Sequence, residues 1–396
     1  MINIMKKYFQ FVFAVFFIGI ILITSIFSIR NSYQNLKSTT KSILAGQTSI
    51  KAGIKNIESE FDNNITRKRN WIDIHGLTQR IMQKNEVGNF DVLKDKAGML
   101  HRPYKHNSSE TLSAKAENLF NIYQYAVKKN INFLYTQAPS DIIDGKTIFS
   151  IGLSDQYSND LDVFIGYISE KNIPFLDIRQ YIQDMDISSI FYKTDHHWNL
   201  PLSFKTMTLS IEKINQLYDM NIDINGEIRN LTNYEKIIYP DSFLGSIGIR
   251  TGRYYTGKDN FLIYIPNFST SLEYFHYING NLALKTNGDF YTAFINESLL
   301  RDASYNNKYS VFLYDGYAEN QIINHLADNT LKCLLISDSF SRSMAPYLSL
   351  CFKETRYLDP QDGRYTNSYI DYIDEYQPDI IIILFNGRSV YIDIPQ

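Results

Sequence analysis

The sequence predicts an α/β protein, a parallel sheet with helices on both faces, preceded by a membrane-spanning helix. Three observations carry this. From about residue 86, short apolar runs alternate with amphipathic stretches in a β-α-β-α rhythm. One of those runs, "PDIIIILFN" at 378–386, is apolar almost throughout, as expected for a central parallel strand buried on both faces. Near the N-terminus, Tyr8 to Ile29 is 22 residues without a charge, and a bilayer core needs about 20.

The N-terminal run "YFQFVFAVFFIGIILITSIFSI" is preceded by Lys6 and Lys7. The positive-inside bias keeps the short N-terminus cytoplasmic and sends the rest of the chain across. A cleaved signal peptide is the competing reading. The run exceeds the usual length of such a segment and no clear A-x-A site follows it, which favours an uncleaved signal anchor. Residues 1–29 are therefore the cytoplasmic tip and anchor. Residues 30–85 are polar and moderately periodic, a juxtamembrane helical spacer with no internal repeat. Residues 86–396 are the α/β domain.

Within it, "ETLSAKAENLFNIYQYAVKK" reads as a helix behind a capping Ser/Thr cluster. "INFLYTQAP" is a buried strand ended by proline, "NDLDVFIGYISEKN" a helix, "IPFLDI" a short strand and "LPLSFKTMTLSIEKINQLYDM" a helix. Residues 217–330 break the rhythm. They are rich in Tyr, Asn and Gly, carry strand-like runs such as "NFLIYIP" and "YSVFLYDG", and read as a β-rich insertion. Alternation resumes with "LKCLLISDSF" (strand and turn), "SRSMAPYLSLCF" (helix), "ETRYLD" (strand), "TNSYIDYIDEYQ" (helix) and the last strand.

A formal net charge of −3 argues against bulk electrostatic binding to nucleic acid. The two cysteines, Cys333 and Cys351, show no CxxC and no zinc-type spacing. Cys333 sits in an apolar run and reads as core. No metal or nucleotide cofactor is expected.

The densest chemistry lies in "FYKTDHHWN", 191–199. Asp195 and His197 are two apart, so an extended or turn segment points both to one side. The carboxylate then accepts from one ring nitrogen and leaves the other as a base. A hydroxyl to deprotonate is offered by "LLISDSFSRSM". There a strand ends in Ser337-Asp338-Ser339, where free backbone N–H groups at 339–340 stabilise an oxyanion. Ser339 is the candidate nucleophile. Such a serine is more often a helix cap, but active sites of open α/β sheets lie at the carboxyl ends of strands, where both segments fall.

"YKTDHHWN" resembles the signature of the bacterial DHHW proteins, relatives of the alginate O-acetylation proteins in the SGNH hydrolase superfamily. "FLGSIGIRTGRYY", "LLISDSFSRSMAPYLSLCF", "TRYLDPQDGRY" and "QPDIIIILFNGR" resemble further segments of that family, so the likeness spans roughly residues 85–396. It implies a three-layer α/β/α SGNH-type sheet with permuted motif order. It also implies Ser339 as nucleophile, His197 as base and Asp195 as its orienter. Two departures stand out: Ser337 replaces the glycine of the usual Gly-Asp-Ser turn, and the oxyanion-donor block is matched loosely, by Asn386. Asn386 reads equally well as a strand-end cap beside Gly387. His196, Trp198, Arg364 and Arg388 are candidate substrate contacts. For Trp198 a sugar-stacking platform competes with a buried packing role.

The resemblance implies a membrane-anchored O-acetyltransferase, its domain outside the cytoplasm, modifying a polysaccharide through an acetyl-serine. The acetyl group would come from a multipass membrane acyltransferase. An acetylesterase using the same triad with water, and a non-catalytic polysaccharide-binding factor, are the alternatives.

Overall fold

The computed structural model describes residues 2–150, 157–301, 305–361, 364–365 and 367–387. The chain divides into two units, Met1–Leu77 and Thr78–Gln396. The first is helical. α1 (Ile2–Leu44) contains the charge-free run and is long and apolar enough to cross a membrane, a test that a signal sequence also meets. Most of its described apolar side chains are exposed, Phe11 to 67% and Phe16 to 66%, as a lipid-facing helix requires. α2 (Ile50–Asn63) starts where the Ser49 hydroxyl accepts from the Ala52 N–H, and it folds back along α1. Asn35 donates to Glu60 (2.8 Å), and the Thr66 N–H donates to the Ser28 hydroxyl (3.0 Å). α3 (Lys68–Ile81) completes the stretch expected as a helical spacer.

The second unit opens with a small antiparallel sheet of β1 (Glu86–Val87), β2 (Val92–Lys94) and β3 (Leu100–His101). α4 (Ser109–Lys128), β4 (Asn132–Gln137), α5 (Tyr157–Glu170), β5 (Phe175–Asp177) and α6 (Leu200–Tyr218) follow in the expected rhythm. Next come β6 (Tyr234–Phe243), α7 (Ser246–Thr251), α8 (Arg253–Thr256), β7 (Asp259–Pro266), β8 (Leu272–Ile278) and β9 (Asn281–Gly288). After α9 (Phe290–Phe294), α10 (Glu297–Arg301) and β10 (Glu319–Asn324), the chain returns to β11 (Lys332–Ser337), α11 (Ala345–Ser349), β12 (Glu354–Leu358), α12 (Tyr369–Tyr376) and β13 (Ile380–Phe385).

The main sheet has eight strands in the order β5-β4-β13-β11-β12-β10-β8-β9. β5, β4, β13, β11 and β12 run parallel. β13 is buried at every position and β4 and β11 nearly so, because helices cover both faces. On one face Ala116 and Leu119 of α4, Leu161 of α5 and Ile373 of α12 pack against Ile381 and Ile383. On the other, Phe204, Met207 and Ile211 of α6 and Leu348 of α11 pack against Leu335 and Ile382.

Three expectations need correcting. The sheet is mixed: β10, β8 and β9 pair antiparallel, since β8 and β9 are joined by a tight turn that cannot make a parallel crossover. "YSVFLYDG" forms two short 3₁₀ turns, because Leu313, Tyr314 and Asp315 all hold left-handed φ angles (54°, 53°, 61°) that no strand accommodates. The helix after Ser339 is broken into a 3₁₀ turn, Ser339–Ser343, and the short α11 with Pro346 in its first turn. Cys333 and Cys351 are both buried and unbridged.

Candidate active site

The loop carrying 192–197 is pinched at its base. Phe191 and Trp198 pair as an antiparallel bridge, and the Tyr192 N–H donates to the His197 carbonyl. Asn199 then caps α6 by accepting from the Leu202 N–H. The Asp259 carboxylate fastens the loop from outside, accepting from the Lys193 N–H (2.8 Å), the Thr194 N–H (2.9 Å) and the Thr194 hydroxyl (2.5 Å). These bonds fix the backbone on which Asp195 and His197 stand.

His197 Nδ1 lies 2.6 Å from Asp195 Oδ1, and its Nε2 lies 2.8 Å from Ser339 Oγ. A carboxylate can only accept, so Nδ1 carries the proton and Nε2 presents its lone pair to the serine O–H. Asp195 Oδ1 also accepts from the His197 N–H (3.0 Å), and Oδ2 accepts from the Ser246 N–H (2.5 Å). Burial pushes the Asp195 carboxyl up. The imidazoles of His197 and His196, the His197 hydrogen bond and the Ser246 N–H outweigh it and hold the group well below the usual carboxylate range. The Asp195 carboxyl is ionised.

Ser246 reaches Asp195 only because residue 245 is glycine. A Cβ there would sit 2.3 Å from Asp195 Cβ and 2.7 Å from the Thr194 carbonyl oxygen. The Gly245 N–H itself donates to Thr194 Oγ1 (2.9 Å).

Ser339 follows β11 at the carboxyl end of the parallel strands. Ser337 keeps a negative φ, so the turn does not need the glycine that the family pattern carries there. Asp338 joins two strand ends: Oδ1 accepts from the Phe340 N–H (2.9 Å), and Oδ2 accepts from Asn386 N–H (3.0 Å) and Nδ2 (2.6 Å). This corrects the oxyanion expectation for residue 340, whose N–H is already spent on Asp338. It also places one Asn386 amide hydrogen on Asp338.

His196 is one-quarter exposed, with Nδ1 3.3 Å from both Asp195 Oδ1 and Ser246 Oγ. Trp198 is fully buried and donates its indole N–H to the Phe340 carbonyl (3.0 Å). A ring with no exposed face cannot stack on a sugar, so the substrate-contact reading of Trp198 is withdrawn. It is a packing residue that ties the histidine loop to the serine turn. Arg364 is turned to its own loop, bonding Asp359 (3.1 Å) and Gln361 (3.2 Å). Arg388 lies outside the described residues.

Tyr309 escaped the sequence reading. Its ring stacks on His197 (centroids 3.9 Å apart, 18° between planes), and its hydroxyl donates to the Phe340 carbonyl (3.0 Å) and lies 3.0 Å from Ser343 Oγ. Burial pushes the phenol further above its ordinary value, so it remains a donor. The only local signal was an apolar run that read as a strand.

Asp359, fully buried just after β12, feels the charge of Asp338. Burial pushes its carboxyl up to about 7 against the pull of Arg364. In the unfolded chain an aspartate ionises near 3.9. Between those values the folded state binds the extra proton, so this group withdraws stability as pH rises from about 4 to 7. Asp359→Asn should therefore compare better with the wild type at pH 8 than at pH 5 in thermal melts. A difference independent of pH would refute this.

Asp195, His196 and His197 place ligand-type atoms within 4.8 Å of one another. Both Asp195 oxygens are taken by N–H donors and His197 Nε2 faces a hydroxyl, so a metal there would have to break the chain of bonds just described.

No protein-family model matches the sequence, and no curated protein matches it. Solved structures do. PatB1 of Bacillus cereus, determined with a sulfonyl adduct, superposes with a TM-score of 0.62 at 17% identity, over 77% of this chain and 97% of that one. A DHHW family protein of Eubacterium siraeum follows at 0.54 and 16%, over 76% and 92%. The O-acetyltransferase domain of Pseudomonas putida AlgJ is more remote, at 0.45 and 10%, over 76% and 92%. The neighbours thus include the family whose motif segment 192–199 resembles.

Proposed function

We propose that this chain is a membrane-anchored O-acetyltransferase of the SGNH type with permuted motif order. Residues 217–330 would be an insertion, and the domain after residue 85 would lie outside the cytoplasm. The observation that carries this reading is the unbroken run of bonds Asp195–His197–Ser339, at 2.6 and 2.8 Å. A buried carboxylate, an imidazole with one tautomer imposed and a hydroxyl at a strand end are the parts acyl transfer needs.

Ser339 Oγ attacks an acetyl ester carbonyl while His197 Nε2 takes its proton. The tetrahedral oxyanion is met by the Ser339 N–H, which has no partner among the described residues, with Asn386 as the second donor that the family likeness implies. The donor's oxygen leaves with the proton from His197, and Ser339 holds the acetyl group. A polysaccharide hydroxyl then gives its proton to His197, attacks the acetyl-serine and departs esterified as Ser339 regains a proton. Asp195 stabilises the imidazolium in both halves. The donor would be supplied by a multipass membrane acyltransferase, beside which α1 holds the domain. The likeness to PatB1, which carries a sulfonyl adduct, supports the choice of probe.

Treatment with a sulfonyl fluoride should place one adduct on the peptide containing Ser339, seen by mass spectrometry and absent from Ser339→Ala. With an acetyl ester donor, added oligosaccharide should become acetylated. Labelling elsewhere, or acetate release unaffected by sugar, would overturn the nucleophile or the transferase reading respectively.

A further inference from the structure

The face of the main sheet that carries α12 stays open across β10, β8 and β9. There a groove of about 580 Å³ runs between the sheet and α12, lined in part by Glu319, Gln321, Arg356 and Tyr372. Directly opposite residues in an antiparallel pair share a face. The register therefore aligns Phe275 with Gln321 and Arg356, and Tyr277 with Glu319 and Leu358. Phe275 and Tyr277 are partly exposed, with rings 6.4 Å apart and 17° from parallel. Their neighbours on the opposite face, Tyr274, Asn320, Ile322 and Tyr357, are buried core.

The polar groups beside these rings form a planned edge. Tyr277 donates to Gln321 (3.3 Å), whose amide donates to Glu354 (2.8 Å). Tyr372 donates to Glu319 (2.8 Å), and Arg356 reaches Glu354 (2.9 Å). Lys285, half exposed, holds its ammonium 4.7 Å over the Phe275 ring. Apolar ring surface flanked by amide, carboxylate and cationic groups suits a pyranose, which offers a face of C–H bonds and a rim of hydroxyls. The adjoining groove adds the rings of Tyr365, Tyr372 and Tyr376 but no aliphatic side chain, and its carboxylates Glu319, Glu354, Asp371 and Glu375 outnumber Lys332 and Arg356. That balance repels a polyuronate.

We propose that this face binds a glycan chain lacking anionic groups, in a site separate from the catalytic serine. The Tyr277–Glu319–Leu358 row continues in register to Ile336 of β11, three residues before Ser339. With neighbouring strands about 4.8 Å apart, the aromatic pair stands about 14 Å across the sheet from the nucleophile's strand. Leu358 and Ile336 are fully buried, so the open surface ends at β10, apart from the serine. The proposal rests on the reading of the protein as a glycan-modifying enzyme.

The test uses the full chain in detergent micelles, with chitohexaose as the uncharged probe and an oligogalacturonate as the anionic one, followed by calorimetry. Chitohexaose should bind better than the oligogalacturonate, and Ser339→Ala should bind it equally well. The double variant Phe275→Ala/Tyr277→Ala should bind roughly tenfold more weakly, with hydrolysis of a small acetyl ester unchanged. The milder Gln321→Ala should lose several-fold and guards against misfolding of the double variant. Absent binding, unchanged binding in both variants, or preference for the oligogalacturonate would overturn the proposal. If Ser339→Ala retained ester turnover, the catalytic reading would fall while the binding measurements still judged this surface.

Discussion

Asp195→Asn should lower turnover of an acetyl ester by roughly 10³-fold or more, without unfolding the protein. The reason is donor–acceptor arithmetic at the two carboxylate oxygens. Oδ1 accepts from His197 Nδ1 and from the His197 N–H, while Oδ2 accepts from the Ser246 N–H. An amide has one oxygen and one NH₂ group. If the oxygen keeps the His197 side, the NH₂ confronts the Ser246 N–H, 2.5 Å away in the native bond. If it keeps the Ser246 side, the NH₂ donates to Nδ1. The imidazole then carries its proton on Nε2 and can no longer accept one from Ser339. Either arrangement damages the site, and the second removes the base outright. Sulfonylation of Ser339 should slow in parallel with turnover, since both depend on the same deprotonation. A variant turning over within a few-fold of wild type would show that the Asp195–His197 bond is structural.

The parts of this site that were legible in sequence are those whose signal is local. The strands at 332–337 and 380–385 declare themselves by unbroken apolar runs, and Asp195 and His197 by a two-residue spacing. The supports are not local. The Asp259 carboxylate grips Thr194 from 65 residues away, and Tyr309 stacks on His197 with nothing around it in sequence to mark that contact. Of the two readings of Trp198 the buried packing role holds, because an indole N–H needs a partner when buried and found one in the Phe340 carbonyl. The antiparallel end of the sheet was hidden because alternation in β8 and β10 reveals two faces but not strand direction. Ser337 stands where the family's Gly-Asp-Ser turn has glycine. Its negative φ shows that the turn is built here without a left-handed residue.

Gly245→Ala supplies the sharpest separation between site geometry and general stability. The added methyl would meet Asp195 Cβ at 2.3 Å, Asp195 Oδ2 at 2.5 Å and the Thr194 carbonyl at 2.7 Å, none of them the free end of a flexible side chain. Relief requires α7 to back away, which takes the Ser246 N–H off Oδ2, or the loop at 194–195 to retreat, which moves the base from Ser339. A displacement near 1 Å at either place costs about 10²-fold in rate, and overpacking of this kind costs about 1–3 kcal/mol in stability. Gly166 is the matched control. It lies inside α5 with nothing within 4 Å of a Cβ, so alanine there should leave turnover unchanged and gain a little helix stability. Steady-state rates and thermal melts on the pair decide the matter. Equal turnover in the two variants would mean that Ser246 does not position Asp195. Loss confined to Gly245→Ala, with sulfonylation of Ser339 slowed to match, would mean that the glycine after β6 keeps the carboxylate, and through it the base, in working register.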